Sequence, residues 1–207
     1  MRGRGQRGFN LLELMFAVLI AGITLGIGIP SFNQFTANSR MAGAANELMT
    51  SIHVARTEAV KRRVPATLCA SSDWASEDPG CDLDSGTGWI VFADVDGDVV
   101  VDDGDVVLQS HAPLAEPLSF EFDVASVAYL QFGPGGVPRT APAGTPISNI
   151  QICDNRGDVA TGRTPPTAGD EEGREIAAGR WLQINAAGRP QVYRTRDEVQ
   201  ANPIGGC

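Results

Sequence analysis

Five aspartates, Asp94, Asp96, Asp98, Asp102 and Asp105, stand at positions 1, 3, 5, 9 and 12 of an EF-hand count, a spacing that offers enough carboxylate oxygen for Ca²⁺. The pattern departs at position 6, where Val99 replaces the Gly of the sharp turn, and at 12, where Asp105 is shorter than Glu. A solvated Asp-rich turn accounts for the same residues, so the expectation is no cofactor, with Ca²⁺ as the alternative. Four cysteines, Cys69, Cys81, Cys153 and Cys207, have neither C-x-x-C redox spacing nor zinc spacing. They allow three disulfide pairings; Cys69 with Cys81 would close a short loop, and Cys153 with Cys207 would tie the C-terminal tail to a strand. Arg180, Arg189, Arg194 and Arg196 fall in a stretch without an acid, beside Trp181 and Tyr193. Such a patch could hold phosphates while an aromatic ring stacks on bases. A strand edge charged against aggregation is the competing explanation.

His53 and His111 lie far apart without a partner at ligand spacing, and read as surface or packing residues. No nucleophile elbow, P-loop or H-E-x-x-H motif is present, and the carboxylates sit in a turn, so no enzyme is expected. The 207 residues carry 16 basic and 25 acidic groups, a net charge of −9, with 43% hydrophobic side chains. That is one domain and one appendage, neither disordered nor polytopic. Its negative field opposes bulk nucleic-acid binding, leaving only a local basic patch for DNA.

Residues 9–29 form an apolar run with one ionisable group, Glu13, preceded by Arg2, Arg4 and Arg7. At about 1.5 Å per residue it spans roughly 30 Å, a bilayer core. The upstream Arg predict a cytoplasmic N-terminus and a remainder on the other side of the membrane, in an oxidising compartment. A cleaved secretory signal would need a small-residue site after the run, and Gly28-Ile29-Pro30-Ser31 does not supply one. A plain signal anchor leaves Glu13 unexplained, because a central acid costs about 2.5–3.5 kcal/mol on insertion scales, and less near an end.

Arg7-Gly8-Phe9-Asn10-Leu11-Leu12-Glu13-Leu14 resembles the class III signal of type IV prepilins and type II secretion pseudopilins. The strand and acidic turn from Gly88 to Asp98, the segment from Ile152 to Gly157, and the late Gly188-Arg189 strand before a terminal Cys207 resemble the GspH/FimT branch. The resemblance implies cleavage between Gly8 and Phe9 by a prepilin peptidase, methylation of the Phe9 amine, and retention of the apolar segment. Glu13, four residues from that amine, would be compensated by the amine of an adjacent subunit. The stretch around Arg189 also resembles, loosely, a Gly-Arg-x-Arg element by which some FimT-type pilins capture DNA, with Gln191 in place of the second Arg.

Pro30 is expected to kink or loosen a helix that continues beyond it. Met41, Ala45, Leu48, Ile52, Ala55 and Ala59 recur at spacings of 3 and 4, with charged residues between them, and Val64-Pro65 closes the helix. Strands are expected over 66–70, 88–93, 106–109, 118–122, 127–132, 147–153, 180–185 and 191–195. The fold class is therefore α+β: a long N-terminal helix, membrane-spanning in its first half, packed on an antiparallel pilin-like β-domain. The domains are a leader at 1–8, a membrane or filament-core helix at 9–29, an amphipathic continuation at 30–64 and a periplasmic domain at 65–207. Loops 71–88, 133–146 and 154–179 would face partners. The expected function is that of a minor pilin or pseudopilin at or near a filament tip. Its partners would be prepilin peptidase, other pilins, an inner-membrane assembly platform and, before assembly, membrane lipid. The alternatives are a DNA receptor in transformation and a signal-anchored periplasmic binding module.

Overall fold

The computed structural model describes residues 10–83, 88–123, 128–167, 170 and 172–207. Helix α1 spans Leu11–Arg62, with Asn10 before it accepting the Leu12 N–H at 3.4 Å, as a capping side chain does. At its far end Arg63 turns to φ +61, and Pro65 two residues on prevents continuation. The helix runs on through position 30; the Pro30 side chain lies outside what is described.

The chain divides at Ser39/Arg40 into two compact units. The first, where described, is the apolar beginning of α1. The second contains the rest of α1 and all the strands. In the second unit burial along α1 starts with Met41.

Among the described residues, ten strands form two antiparallel sheets. The first contains β1 (Ala66–Ser71), β2 (Gly88–Ala93), β3 (Val106–His111), β5 (Tyr129–Phe132) and β6 (Pro138–Arg139), in the order β3-β2-β1-β5-β6. The second contains β4 (Ser119–Phe122), β7 (Asn149–Cys153), β9 (Glu175–Ile184) and β10 (Pro190–Thr195), in the order β10-β9-β7-β4, with β8 (Ala160–Arg163) on β9. Helix α2 (Arg196–Gln200) follows. Alternation along the strands puts Val91, Leu68 and Leu130 in one row and Phe122, Ile150 and Leu182 in another. Both rows meet Met41, Ala45, Leu48, Ile52, Ala55 and Ala59, all buried, in one core. Each large side chain fully buried there contributes about 1.5–3 kcal/mol of transfer free energy. Small Ala at half the positions of the stripe lets the strands approach the helix.

The opposite face of the first sheet buries Cys69, Ile90, Phe92 and Tyr129 in a second cluster with Val99 and Ala141. This is why β1 and β2 are buried along their whole length and show no polar alternation.

The 88–93 strand matches its expectation residue for residue, whereas the 180–185 strand begins earlier, at Glu175, because β8 pairs with its first half. Val127 of the expected 127–132 strand lies outside the described residues. Two strands, β6 and β8, and α2 were not anticipated. Loop 133–146 lacks a helix, as Gly and Pro dictate, yet Arg139 and Pro138 pair with Gln131 and Phe132.

Candidate functional site

Asn10 and Leu11 open a stem on which Leu11, Leu14, Phe16, Leu19, Ile23, Phe32 and Phe35 are all exposed. Its one helix is long and apolar enough to cross a membrane. Hydroxyls in the stem bond back to their own helix: Thr24 Oγ1 donates to the Ile20 carbonyl at 2.9 Å and Thr36 Oγ1 to the Phe32 carbonyl at 2.9 Å. Neither needs water, as hydrocarbon requires. Glu13 is exposed in the first turn of α1 and is the single ionisable side chain between Leu11 and Ser39. Gly8 and Phe9, the expected cleavage site, lie outside the described residues.

The acidic turn follows β2. Carboxylate oxygens of Asp94, Asp96 and Asp98 come within 4.8 Å of one another. Asp94, however, is buried and already engaged: its Oδ2 accepts Thr67 Oγ1 at 2.7 Å, Gln131 Nε2 at 2.7 Å and the Val99 N–H at 3.1 Å, and its Oδ1 accepts the Gly97 N–H at 2.7 Å. Burial pushes the Asp94 carboxyl above the usual range, overriding these four donors, which favour its charge. Asp105 accepts the Val95 N–H at 2.8 Å and the Asp102 N–H at 3.4 Å. Asp98 accepts the Val100 N–H at 2.7 Å. Asp102 is also pushed up, by desolvation first and then by its neighbouring carboxylates Asp96, Asp105, Asp98 and Asp103.

Val99, at the EF-hand Gly position, has φ +73, so the sharp turn is made there without glycine. The Arg139 side chain packs on Gly97, where a Cβ would come within 3.0 Å of its Nη1. The turn is thus built from Asp carboxylates that accept its own backbone N–H groups, with the Arg139 guanidinium against Gly97.

The four expected phosphate-binding Arg do not form one surface. Arg180 is 9% exposed, with Nη1 donating to the carbonyls of Ala177 and Gly179 at 2.7 Å each, and burial removes it from any DNA contact. Arg196 pairs with Glu175 at 2.9 Å. Arg189 and Arg194 are exposed. Trp181 and Tyr193 stack on each other, ring centroids 4.3 Å apart, and Trp181 Nε1 donates to Asn149 at 3.1 Å. One face of each ring is thus covered by the other.

Of the three pairings open to the four cysteines, the disulfides formed are Cys69 to Cys81 and Cys153 to Cys207. The second fixes the tail against β7, where the Cys207 N–H also donates to Asp158 at 2.9 Å. Asn202, buried beside it, donates to Gln151 at 2.7 Å.

Sequence reasoning missed a polar chain beneath the first sheet. His111 stacks on Trp89, centroids 4.8 Å apart and planes 10° from parallel, and bridges Glu47 and Ser51 of α1. The i, i+4 spacing of Glu47 and Ser51 places both on one side of the helix, but nothing near His111 marks it as their partner.

The family model described as type II transport protein GspH matches residues 44–165. A fimbrial protein of Dichelobacter nodosus is 32% identical over 98 residues, which cover 44% of this chain and 54% of that one. A fimbrial protein of Pseudomonas aeruginosa is 40% identical over 45 residues, covering 22% of this chain and 29% of the other. The matched stretches thus span about half or less of these relatives. Among solved structures, the type IV minor pilin FimU of Pseudomonas aeruginosa aligns with 24% identity over 77% of this chain and 92% of its own, with a TM-score of 0.46.

Proposed function

We propose that this chain, which belongs to the GspH family of type II transport proteins, is a minor pilin or pseudopilin, a non-catalytic structural subunit of a type IV pilus or type II secretion pseudopilus. In this reading prepilin peptidase removes residues 1–8, Phe9 becomes the methylated N-terminus, and the subunit enters the filament at or near its tip. Before assembly it sits in the inner membrane, amino end in the cytoplasm and residues 65–207 in the periplasm, where both disulfides suit the oxidising compartment.

The observation that most supports this is the make-up of α1. Its first part exposes an apolar surface interrupted by one acid, Glu13, while Met41 to Ala59 bury their stripe under two sheets. An isolated anchor gains nothing from a carboxylate in lipid. A filament of such helices does, because each Glu13 can meet the new Phe9 amine of a neighbour and so fix axial register. Other pilins and the inner-membrane platform are the partners this work requires.

Glu13→Ala tests the reading. Expression and membrane insertion should persist while piliation or secretion is lost, and intact mass of the native protein should start at N-methylated Phe9. Normal assembly by the variant, or a mature protein that keeps residues 1–8, rejects it.

A further inference from the structure

An apolar cavity of about 500 Å³ lies in the globular unit between the Leu48 turn of α1, the ends of β1 and β2, and the outer strand β4. Leu68, Trp89, Leu114, Phe120, Phe122 and Ile150 line it, and Glu116 is its one ionisable lining residue among those described. Close-packed interiors leave few voids larger than a water, whereas sites that take a guest measure roughly 300–1,000 Å³.

Among the described residues, the strand beside the cavity has one edge without a partner strand. β4 ends the order of the second sheet, and among the described residues no strand pairs with its far side. Its antiparallel register with β7 sets Phe120 opposite Ile152 and Phe122 opposite Ile150. The register continues to Asp123, whose N–H donates to the Asn149 carbonyl at 3.3 Å. Bonded and unbonded pairs alternate in such a ladder. Ser119, Glu121 and Asp123 therefore turn their backbone toward β7, while Phe120 and Phe122 turn N–H and C=O toward the open edge. The rings of these same two residues form part of the cavity wall.

From this coincidence we infer that the β4 edge is a strand-addition site for an extended segment of a partner protein. The segment pairs with the Phe120 and Phe122 backbone and sends apolar side chains from its positions i and i+2 into the cavity. Charge selects the segment further. Glu116 at the cavity and Glu121, exposed on β4, call for flanking Lys or Arg. A free acyl chain would fill the cavity but leave the edge groups unpaired. The inference rests on residues 40–207 and does not require the processing or filament reading.

The full chain in lipid nanodiscs, titrated with fluorescent acetyl-Arg-Leu-Thr-Leu-Arg-amide, tests it by anisotropy and by amide hydrogen exchange. The peptide should bind and slow exchange of the Phe120 and Phe122 amides about tenfold or more, leaving Glu121, already paired to β7, little changed. The same peptide with its internal amides N-methylated, and the cavity-filling variant Ala70→Phe with the original peptide, should each weaken binding about tenfold or more. Absence of peptide binding, equal affinity for the N-methylated peptide, or binding without slowing at Phe120 and Phe122 overturns strand addition. Saturation by n-dodecylamine with no response to the peptide does so too, and assigns the cavity to a lipid-like ligand.

Discussion

Nδ1 of His111 lies 2.9 Å from Oε1 of Glu47, tying the last residue of β3 to α1. On the other side of the ring, Nε2 is 3.3 Å from Ser51 Oγ, which accepts the Trp89 Nε1–H at 3.0 Å. One proton arrangement satisfies the whole chain: Trp89 donates to Ser51, Ser51 to Nε2, and Nδ1–H to Glu47. Ser51 Oγ also lies 3.2 Å from the Glu47 carbonyl, a second acceptor for its O–H.

Ser51 is the member whose loss should matter most, because it alone accepts the buried Trp89 N–H. Ser51→Ala is expected to cost about 1–3 kcal/mol, because it leaves the buried Trp89 Nε1–H without its acceptor and His111 Nε2 without its donor. Glu47→Gln should cost about 0–1 kcal/mol, since the Glu47 side chain is 48% exposed and its charge is screened. Urea midpoints for residues 40–207, at constant m, give the order; a larger loss for Glu47→Gln contradicts it.

Asp94 gives a pH prediction with a definite sign. Between the ordinary Asp value and its raised native value, the folded protein keeps a proton that the unfolded chain has released. The stability contributed by this group is therefore greatest below the window and falls as pH rises through it. Asp94→Asn abolishes that slope and, at neutral pH, sets an amide N–H₂ against one of the four donors, costing about 1–3 kcal/mol. Stability curves of both proteins should converge as pH rises through the window. Divergence would mean that the hydrogen bonds, not burial, dominate.

The helix and eight of the strands were legible because their periods are clean: the spacing of Met41 to Ala59 fits a helical face, and Gly88 to Ala93 is a continuous β-rich run. β8 was not, since Ala160–Arg163 is polar and carries Gly162, and only its pairing with Glu175–Ala177 makes it a strand. α2 had a readable signal that went unused, Thr195 three residues before Glu198, whose carboxylate its hydroxyl meets. Cys pairing was not legible, since four cysteines allow three pairings and their spacing alone does not choose among them. The burial of Arg180 was not, because alternation assigns a strand residue to a face but does not say that its guanidinium will turn back onto the carbonyls of Ala177 and Gly179. His111 and the cavity depend on contacts between residues some sixty positions apart, which local pattern does not encode.

Arg180 and Arg194 separate structure from surface charge. Desolvation, with the nearby charges of Arg194 and Arg156, pushes the Arg180 guanidinium below its usual value, while the carbonyls of Ala177 and Gly179 hold it in place. Arg180→Gln should lower stability by about 1–3 kcal/mol. Arg194→Gln, at an exposed position, removes a like charge and should change stability by less than about 0.5 kcal/mol, in the stabilising direction. Thermal melts of the two variants distinguish these cases, and equal losses would show that Arg194 has a structural partner.

Removal of the disulfides should rank by the chain each closes. Cys153 and Cys207 are separated by 54 positions and Cys69 and Cys81 by 12. Loop-closure entropy gives upper estimates of about 4 and about 3 kcal/mol respectively. Packing widens the gap: the tail that ends in Cys207 covers Gly179, where a Cβ would come within 2.6 Å of its sulfur, and holds Asn202 against Gln151. Releasing it exposes the end of the second sheet. The 69–81 loop retains anchors of its own, since Asp73 accepts Ser71 Oγ and the Gly80 N–H at 2.9 Å each. The double variant Cys153→Ala/Cys207→Ala should therefore melt lower than Cys69→Ala/Cys81→Ala and show faster exchange in β7 and β9. The opposite ranking would place the greater constraint in the short loop.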